Sequence, residues 1–250
     1  MAELLTCPGP TKSFPGFCPQ GIALLRTLKR KKRSDWLASD QELYDFKITN
    51  PLLELVCSVS REFARFAPDY ITPPEKSVFR IFGEPASART KRPTRPPTAI
   101  WAHKDAEGGM RGACFYFHFT EKEAVLLGGI YAPDASELLA CRKLLSNNYA
   151  EFEKILSDSK LQSHMGKLKG EKLSRIPSGF PARHPAADLL RRRQWYMVTM
   201  LDMPLLSTDQ LLSTLVSHFE AMAPFVEFLN RPFVRKPKLK RSTFAVVGKS

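Results

Sequence analysis

The spacing of hydrophobic residues changes along this chain, and the changes mark its elements. Ile22, Leu25 and Leu28 recur at helical intervals and predict a helix over 20–31, after a start rich in proline and glycine. Ser39 with Glu42 predicts a capping box at the head of the next helix. Asn50 before Pro51 reads as an N-cap followed by a first-turn proline. From there Leu52, Val56, Val59, Phe63 and Phe66 form one apolar stripe. The period then shortens toward two: SVFRIF (77–82), PTAIWAH (97–103), ACFYFHFT (113–120), EAVLLGGIYA (123–132) and QWYMVTML (194–201) predict five strands, with TEKE (120–123) as a hairpin connection.

Helices resume between the fourth and fifth strands. Asp134 and Glu137 predict a capping box for a helix through Leu138, Cys141 and Leu145, and further helices are expected over 148–157 and 186–192. Residues 161–185 read as mostly connection. Ser207, with Gln210 three residues on, is expected to cap a last helix that buries Leu211, Leu215, Phe219 and Met222, with a kink at Pro224. Strands run consecutively in the middle, with helices before and after. That order predicts an α+β fold, a central mostly antiparallel or mixed sheet of about five strands with flanking helices, and argues against a doubly wound parallel sheet. The expected organisation is an irregular segment over 1–13, a single domain over 14–234 and a basic tail over 235–250.

Composition sharpens this picture. At 43% apolar residues the chain can bury a substantial core. Its start lacks the charged and then apolar run of a signal peptide, and no apolar stretch approaches the roughly 20 residues that span a bilayer. Five widely spaced cysteines without a C-x-x-C argue against a disulfide framework or structural zinc and point to reducing cytoplasm. The formal net charge is +13, and the stretch 231–250 holds seven cations and no acid. Such a chain attracts polyanions.

Several segments in order resemble one family: FPGFCPQGIALLRTLKRKKRSDWL, FRIF (79–82), ACFYFHF (113–119), GGIYAPDASELLACR (128–142), PSGFPARHP (177–185) and FVEFLNRPF (225–233). Together, over about residues 14–234, they resemble the mainly bacterial family known as domain of unknown function 2461. The resemblance implies a shared fold and carries no established activity. This chain departs from the family where an Arg-Asp pair and a KDKTPYKTH-like run are usual. It reads GEPASARTKRPTRPPTA there, with Gly83-Glu84, Pro96-Pro97 and Ala99 at the distinctive positions. If that run carries the family's activity, the resemblance implies that this member has altered or lost it.

Candidate chemistry gathers on the strands. Alternation sends Phe115, Phe117 and Phe119 to one face and Cys114, Tyr116, His118 and Thr120 to the other. Trp101 and His103 share a face of their strand, and pairing could bring His103 toward His118 as ligands or an acid/base pair, or leave both as packed polar rings. Arg80, in the middle of a strand, needs an anion or an internal acid. Arg142, on the helix after Tyr131, either converges on the same face or ties helix to sheet. Arg80, Tyr116, His118, Tyr131 and Arg142 are thus the candidates for holding a small anionic ligand. The stretch SARTKRPTRPP offers Arg89, Lys91, Arg92 and Arg95 on a proline-stiffened backbone, either as a phosphate grip or as a solvated connection. LKRKKR (28–33) and Arg191 to Arg193 are further cation runs that also suit helix ends. No P-loop, dinucleotide fingerprint, zinc motif or Ser-His-Asp order is present, so no cofactor or metal is expected. The leading expectation is a cytoplasmic binding module whose basic surface takes nucleic acid or another polyanion without sequence preference and without a membrane partner. The alternatives are an enzyme or small-ligand protein using the polar sheet face, and an interaction scaffold for an acidic protein.

Overall fold

The computed structural model describes residues 14–30, 38–78, 96–105, 111–181 and 183–234. The fold is α+β. Its sheet holds strands β1 (Thr98–Ala102), β2 (Cys114–Phe119), β3 (Ala124–Ile130) and β4 (Trp195–Leu201) in the order β1-β2-β3-β4, every neighbouring pair antiparallel. Among the described residues the sheet is therefore four-stranded, not five. Of the expected first strand, Val78 makes a lone bridge to Ala99, and residues 79–82 lie outside the described residues.

Helix α1 (Pro19–Arg30) comes first, and α2 (Ala38–Tyr44) is already helical one residue before Ser39. A π-helical turn (Asp45–Thr49) joins α2 directly to α3 (Asn50–Phe66). Asn50 is helical, with φ −64° and ψ −47°, so the expected break and cap at Asn50 do not form. Pro51 has no N–H to donate and its ring crowds the preceding turn. The wider π turn ahead of it relieves that conflict without ending the helix.

The expected capping box at Asp134 forms in full. Glu137 N donates to Asp134 Oδ1 and Asp134 N to Glu137 Oε2, each at 2.8 Å, opening α5 (Ala135–Asn147). Then come α6 (Tyr149–Leu156), α7 (Ser159–Met165) and α8 (Ala187–Leu190). Helix α7 begins before, and extends into, the stretch that reads as connection; its head is fixed by Leu161 N donating to Asp158 Oδ1 at 2.8 Å. The last helix, α9 (Gln210–Asn230), runs on past Pro224 as one element. Ser207 closes a 3₁₀ turn (Met203–Ser207) ahead of α9 instead of capping it.

The core lies between one face of the sheet and helices α3 and α9. Phe115, Phe117 and Phe119 are fully buried there, as alternation predicts. The Phe63 ring meets those of Trp101, Phe115 and Phe219 at centroid distances of 5.8, 5.0 and 5.7 Å. Truncating one such ring to alanine costs about 3–5 kcal/mol. Gly128 lets α9 approach β3 closely, since a Cβ there would collide with Met222 Sδ. No described helix is long and apolar enough to cross a membrane.

Candidate anion-binding site

Arg191, Arg192 and Arg193 follow α8 directly, and the structure builds a positive corner around them. The segment before α8 zips against the segment after it. Lys169 bridges Tyr196 and Lys172 bridges Arg192, with Leu173 N donating to Arg191 O at 2.8 Å and Arg193 N to Glu171 O at 2.9 Å. Gly170 makes this approach possible. Its φ is +129°, and a Cβ would collide with the Gln194 carbonyl oxygen.

Helix α5 holds α8 at both ends. His184 Nδ1 accepts from Ala186 N at 3.0 Å, which leaves the neutral ring's proton on Nε2 to donate to Ser146 Oγ at 3.0 Å. Arg142 Nε donates to Leu190 O at 2.9 Å and its Nη2 to Arg192 O at 3.1 Å. Arg142 thus closes the open carbonyls at the end of α8 and fixes the backbone that carries the three arginines. Burial, and then the nearby charge of Arg193, hold the Arg142 pKa below its usual value. The two guanidinium charges add to one local positive potential.

That potential has too few acids to cancel it. Residues 167–193 contain eight lysines and arginines and two acids, Glu171 and Asp188. Asp188 is shared by Lys172 at 2.6 Å, Arg191 at 3.3 Å and Arg192 at 3.3 Å, while Glu171 meets Arg193 only at 3.9 Å. The hydrogen bond from Lys172 is the largest cause of the lowered Asp188 pKa. Arg191 Nε and Arg192 Nε find no acceptor among the described residues. Both atoms are buried, and each unmet polar group of this kind costs about 1–3 kcal/mol. The tripled arginine is visible in the sequence. Lys172 and Asp188 do not stand out there, although the i, i+3 and i, i+4 spacing of Asp188 to Arg191 and Arg192 is a readable signal.

The sequence candidates fall in three places. Arg80, Arg89, Lys91, Arg92 and Arg95 lie outside the described residues. Tyr116 and His118 are neighbours on the outer face of β2, with rings 5.4 Å apart. His118 Nε2 lies 3.8 Å from Glu123 Oε1, its buried Nδ1 has no partner among the described residues, and burial lowers its pKa against the opposing pull of Glu123. Tyr131 is exposed beyond β3 and meets Tyr196 at 5.1 Å. It lies four residues past Leu127, the residue opposite Tyr116, or about 14 Å along the strand. Arg142 is engaged with α8. The structure therefore brings Tyr116 to His118 but gathers no single pocket from Tyr116, His118, Tyr131 and Arg142.

Nor do His103 and His118 meet. Thr98 faces His118 at one end of β1, and His103 follows Ala102 at the other, about 17 Å along the strand. No group of three or more His, Cys, Asp or Glu among the described residues is placed to hold a metal ion.

The fold is that of an α+β protein with a run of arginines after α8. The family model described as conserved hypothetical protein (DUF2461) matches residues 20–228, and the chain belongs to that family. No curated protein and no solved structure matches the chain significantly.

Proposed function

We propose that the protein is a binding module for a phosphate-bearing polyanion, held through its phosphates without sequence preference. The observation that supports this reading is the corner after α8, where three cations share the one carboxylate of Asp188. Arginine and lysine in such excess are suited to phosphate, arginine through its paired donors and lysine as a compact charge. The expected partner is single-stranded nucleic acid. Exposed Tyr131 and half-buried Tyr196 lie beside the bridge that carries Lys169, so a stacking surface adjoins the cations.

The test is a salt-series titration of the full chain against a random-sequence single-stranded oligonucleotide. Lys172→Gln and Arg191→Gln should each lower affinity and reduce the log–log salt slope by about 0.7, the value for one phosphate contact on a single strand. A separate variant carries serine at Arg89, Lys91, Arg92 and Arg95. If only that variant loses slope, binding belongs to residues 89–95 and the corner reading fails. Unchanged slopes in all variants defeat the polyanion reading altogether.

A further inference from the structure

A second recess has the opposite character. It is an open cleft of about 720 Å³ between the turn at Pro68–Tyr70, the end of β1, helix α6 and the last turns of α9. Its floor is rigid. Asn230 Nδ2 donates to Tyr70 Oη at 2.6 Å and to Ala113 O at 2.8 Å, and Asn230 Oδ1 accepts from Ala113 N at 2.8 Å. All of these groups are buried.

The charged lining consists of Asp69, Glu151, Glu227 and Arg231. Three carboxylates against Arg231, and Lys104 at the rim, leave −1, inside a chain whose net charge is +13. Arg231 is fully committed, with Nη1 and Nη2 on the two oxygens of Glu151 at 2.7 and 2.5 Å and its plane 4.5 Å from the Phe228 ring. Lys104, beside the cleft, takes Asp69 Oδ1 at 2.6 Å. Glu227 has no hydrogen bond or ion pair among the described residues.

An independent feature points to a ligand. The His103 side chain is only 7% exposed, and its Nδ1 accepts from Asp105 N at 3.1 Å. The neutral ring therefore carries its proton on Nε2. That nitrogen lines the cleft with no hydrogen-bond partner among the described residues, its nearest acid being Asp69 Oδ2 at 3.9 Å. The ring is buried while this donor faces the open cleft, where the acceptor of a ligand can reach it.

We propose that this cleft binds a small protonated amine that also carries a hydrogen-bond acceptor, with the Glu227 and Asp69 carboxylates receiving the ammonium and His103 Nε2–H meeting the acceptor. The site is independent of the basic corner and repels the partner proposed for it. Burial and then the Asp69 charge raise the Glu227 pKa. Arg231, held by Glu151, offsets that repulsion only in part, and a bound cation would relieve the rest.

The probe is 2-aminoethanol, titrated into the full chain and followed by melting temperature and by the imidazole resonances of His103, with propionate at equal ionic strength as control. The expected result is a saturable rise in melting temperature and a shift of the His103 ring signals with the amine alone. Glu227→Gln should weaken that binding by about tenfold or more, the loss expected for one charge-assisted hydrogen bond. Because Glu227 is open to the cleft and makes no hydrogen bond among the described residues, this variant is expected to fold, and its unliganded melting curve verifies that. Three results would each overturn the proposal: no saturable response to millimolar amine, an equal response in Glu227→Gln, or a response to propionate instead.

Discussion

The corner after α8 and the cleft at the end of α9 solve the same electrostatic problem in opposite ways. At the corner one carboxylate, Asp188, is divided among three cations. In the cleft Arg231 is bound to Glu151 and Lys104 to Asp69, leaving Glu227 without an ion pair or hydrogen bond among the described residues. The net charge of +13 describes the first region and misdescribes the second. Interactions between exposed charges fade over about 8 Å at physiological ionic strength, so a ligand senses the local sum and not the total. The two regions also differ in support. The cleft stands on buried groups of the core, whereas the corner is a surface loop pinned by α5.

That difference in support sets the largest expected effect. Asn230→Ala removes three hydrogen bonds from the cleft floor and leaves the Ala113 N–H and C=O short of partners. A loss of about 3 kcal/mol or more is expected from unmet buried groups, against about 0–1 kcal/mol for Lys172→Gln in an exposed ion pair. Denaturant unfolding of both variants makes the measurement. Equal losses would erase the distinction between a core-supported and a surface-supported site.

Next in size is Arg142→Ala. It frees the Leu190 and Arg192 carbonyls and is expected to cost about 1–3 kcal/mol. It should also weaken oligonucleotide binding, because the arginine run loses its anchor while keeping its charge. Arg142→Lys restores the charge but not the two-pronged geometry, so it should rescue neither property fully. Full rescue by lysine would show that Arg142 acts through charge alone.

Asp188→Asn should have a smaller effect on stability and an opposite effect on binding. Removing the shared carboxylate raises the local charge by one, and oligonucleotide affinity should rise severalfold at low salt. The Asp188 pKa is lowered in the folded chain. The stability it contributes is therefore present above the unfolded value of about 3.9 and lost as pH falls through the lower folded value. The asparagine variant, which has no proton to gain there, should flatten that part of the acid limb. Weaker binding by this variant would mean that Asp188 positions the cations more than it neutralises them.

These sites are unequally legible in the sequence because their information is unequally local. Asp134 and Glu137 satisfy each other within one turn, so the capping box can be read from spacing alone. The Phe115, Phe117 and Phe119 alternation likewise carries its own direction. Asn50–Pro51 offers the same kind of local signal and it fails, because the chain absorbs the proline with a π turn and the buried stripe of α3 continues the helix regardless. Helix α7 is hard to see since it buries only Leu161 and Met165, too few positions to show a period. The arginine run is visible, but its partner Lys172 arrives through backbone pairing that depends on Gly170. Asp69, His103 and Glu227 come from a turn, a strand end and a helix far apart in the chain. Of these only His103 stands out in the sequence, and its possible approach to His118 does not occur because strand register is not written in either strand alone.

The smallest expected effect separates function from stability within the cleft. The Glu227 pKa is raised in the folded chain, by burial and then by Asp69, with Arg231 opposing. The folded state thus holds the Glu227 proton more tightly than the unfolded state does. Its stabilising contribution is present at pH below the unfolded value, about 4.3, and is lost as pH rises through the higher folded value. At neutral pH the ionised Glu227 is a burden on the fold, so Glu227→Gln should stabilise the protein. The side chain is exposed to the open cleft, and solvent screening limits the gain to a few tenths of a kcal/mol. Asp69, His103, Glu151, Lys104 and Arg231 remain in place, so the difference between variant and parent should track Glu227 alone. It should appear above the folded pKa and shrink as pH falls to about 4, near the unfolded value. A melting-temperature comparison of the two proteins across that range and up to neutral pH measures it. A variant less stable than the parent at neutral pH would show that Glu227 has a structural partner, and the cleft would lose its unbalanced carboxylate.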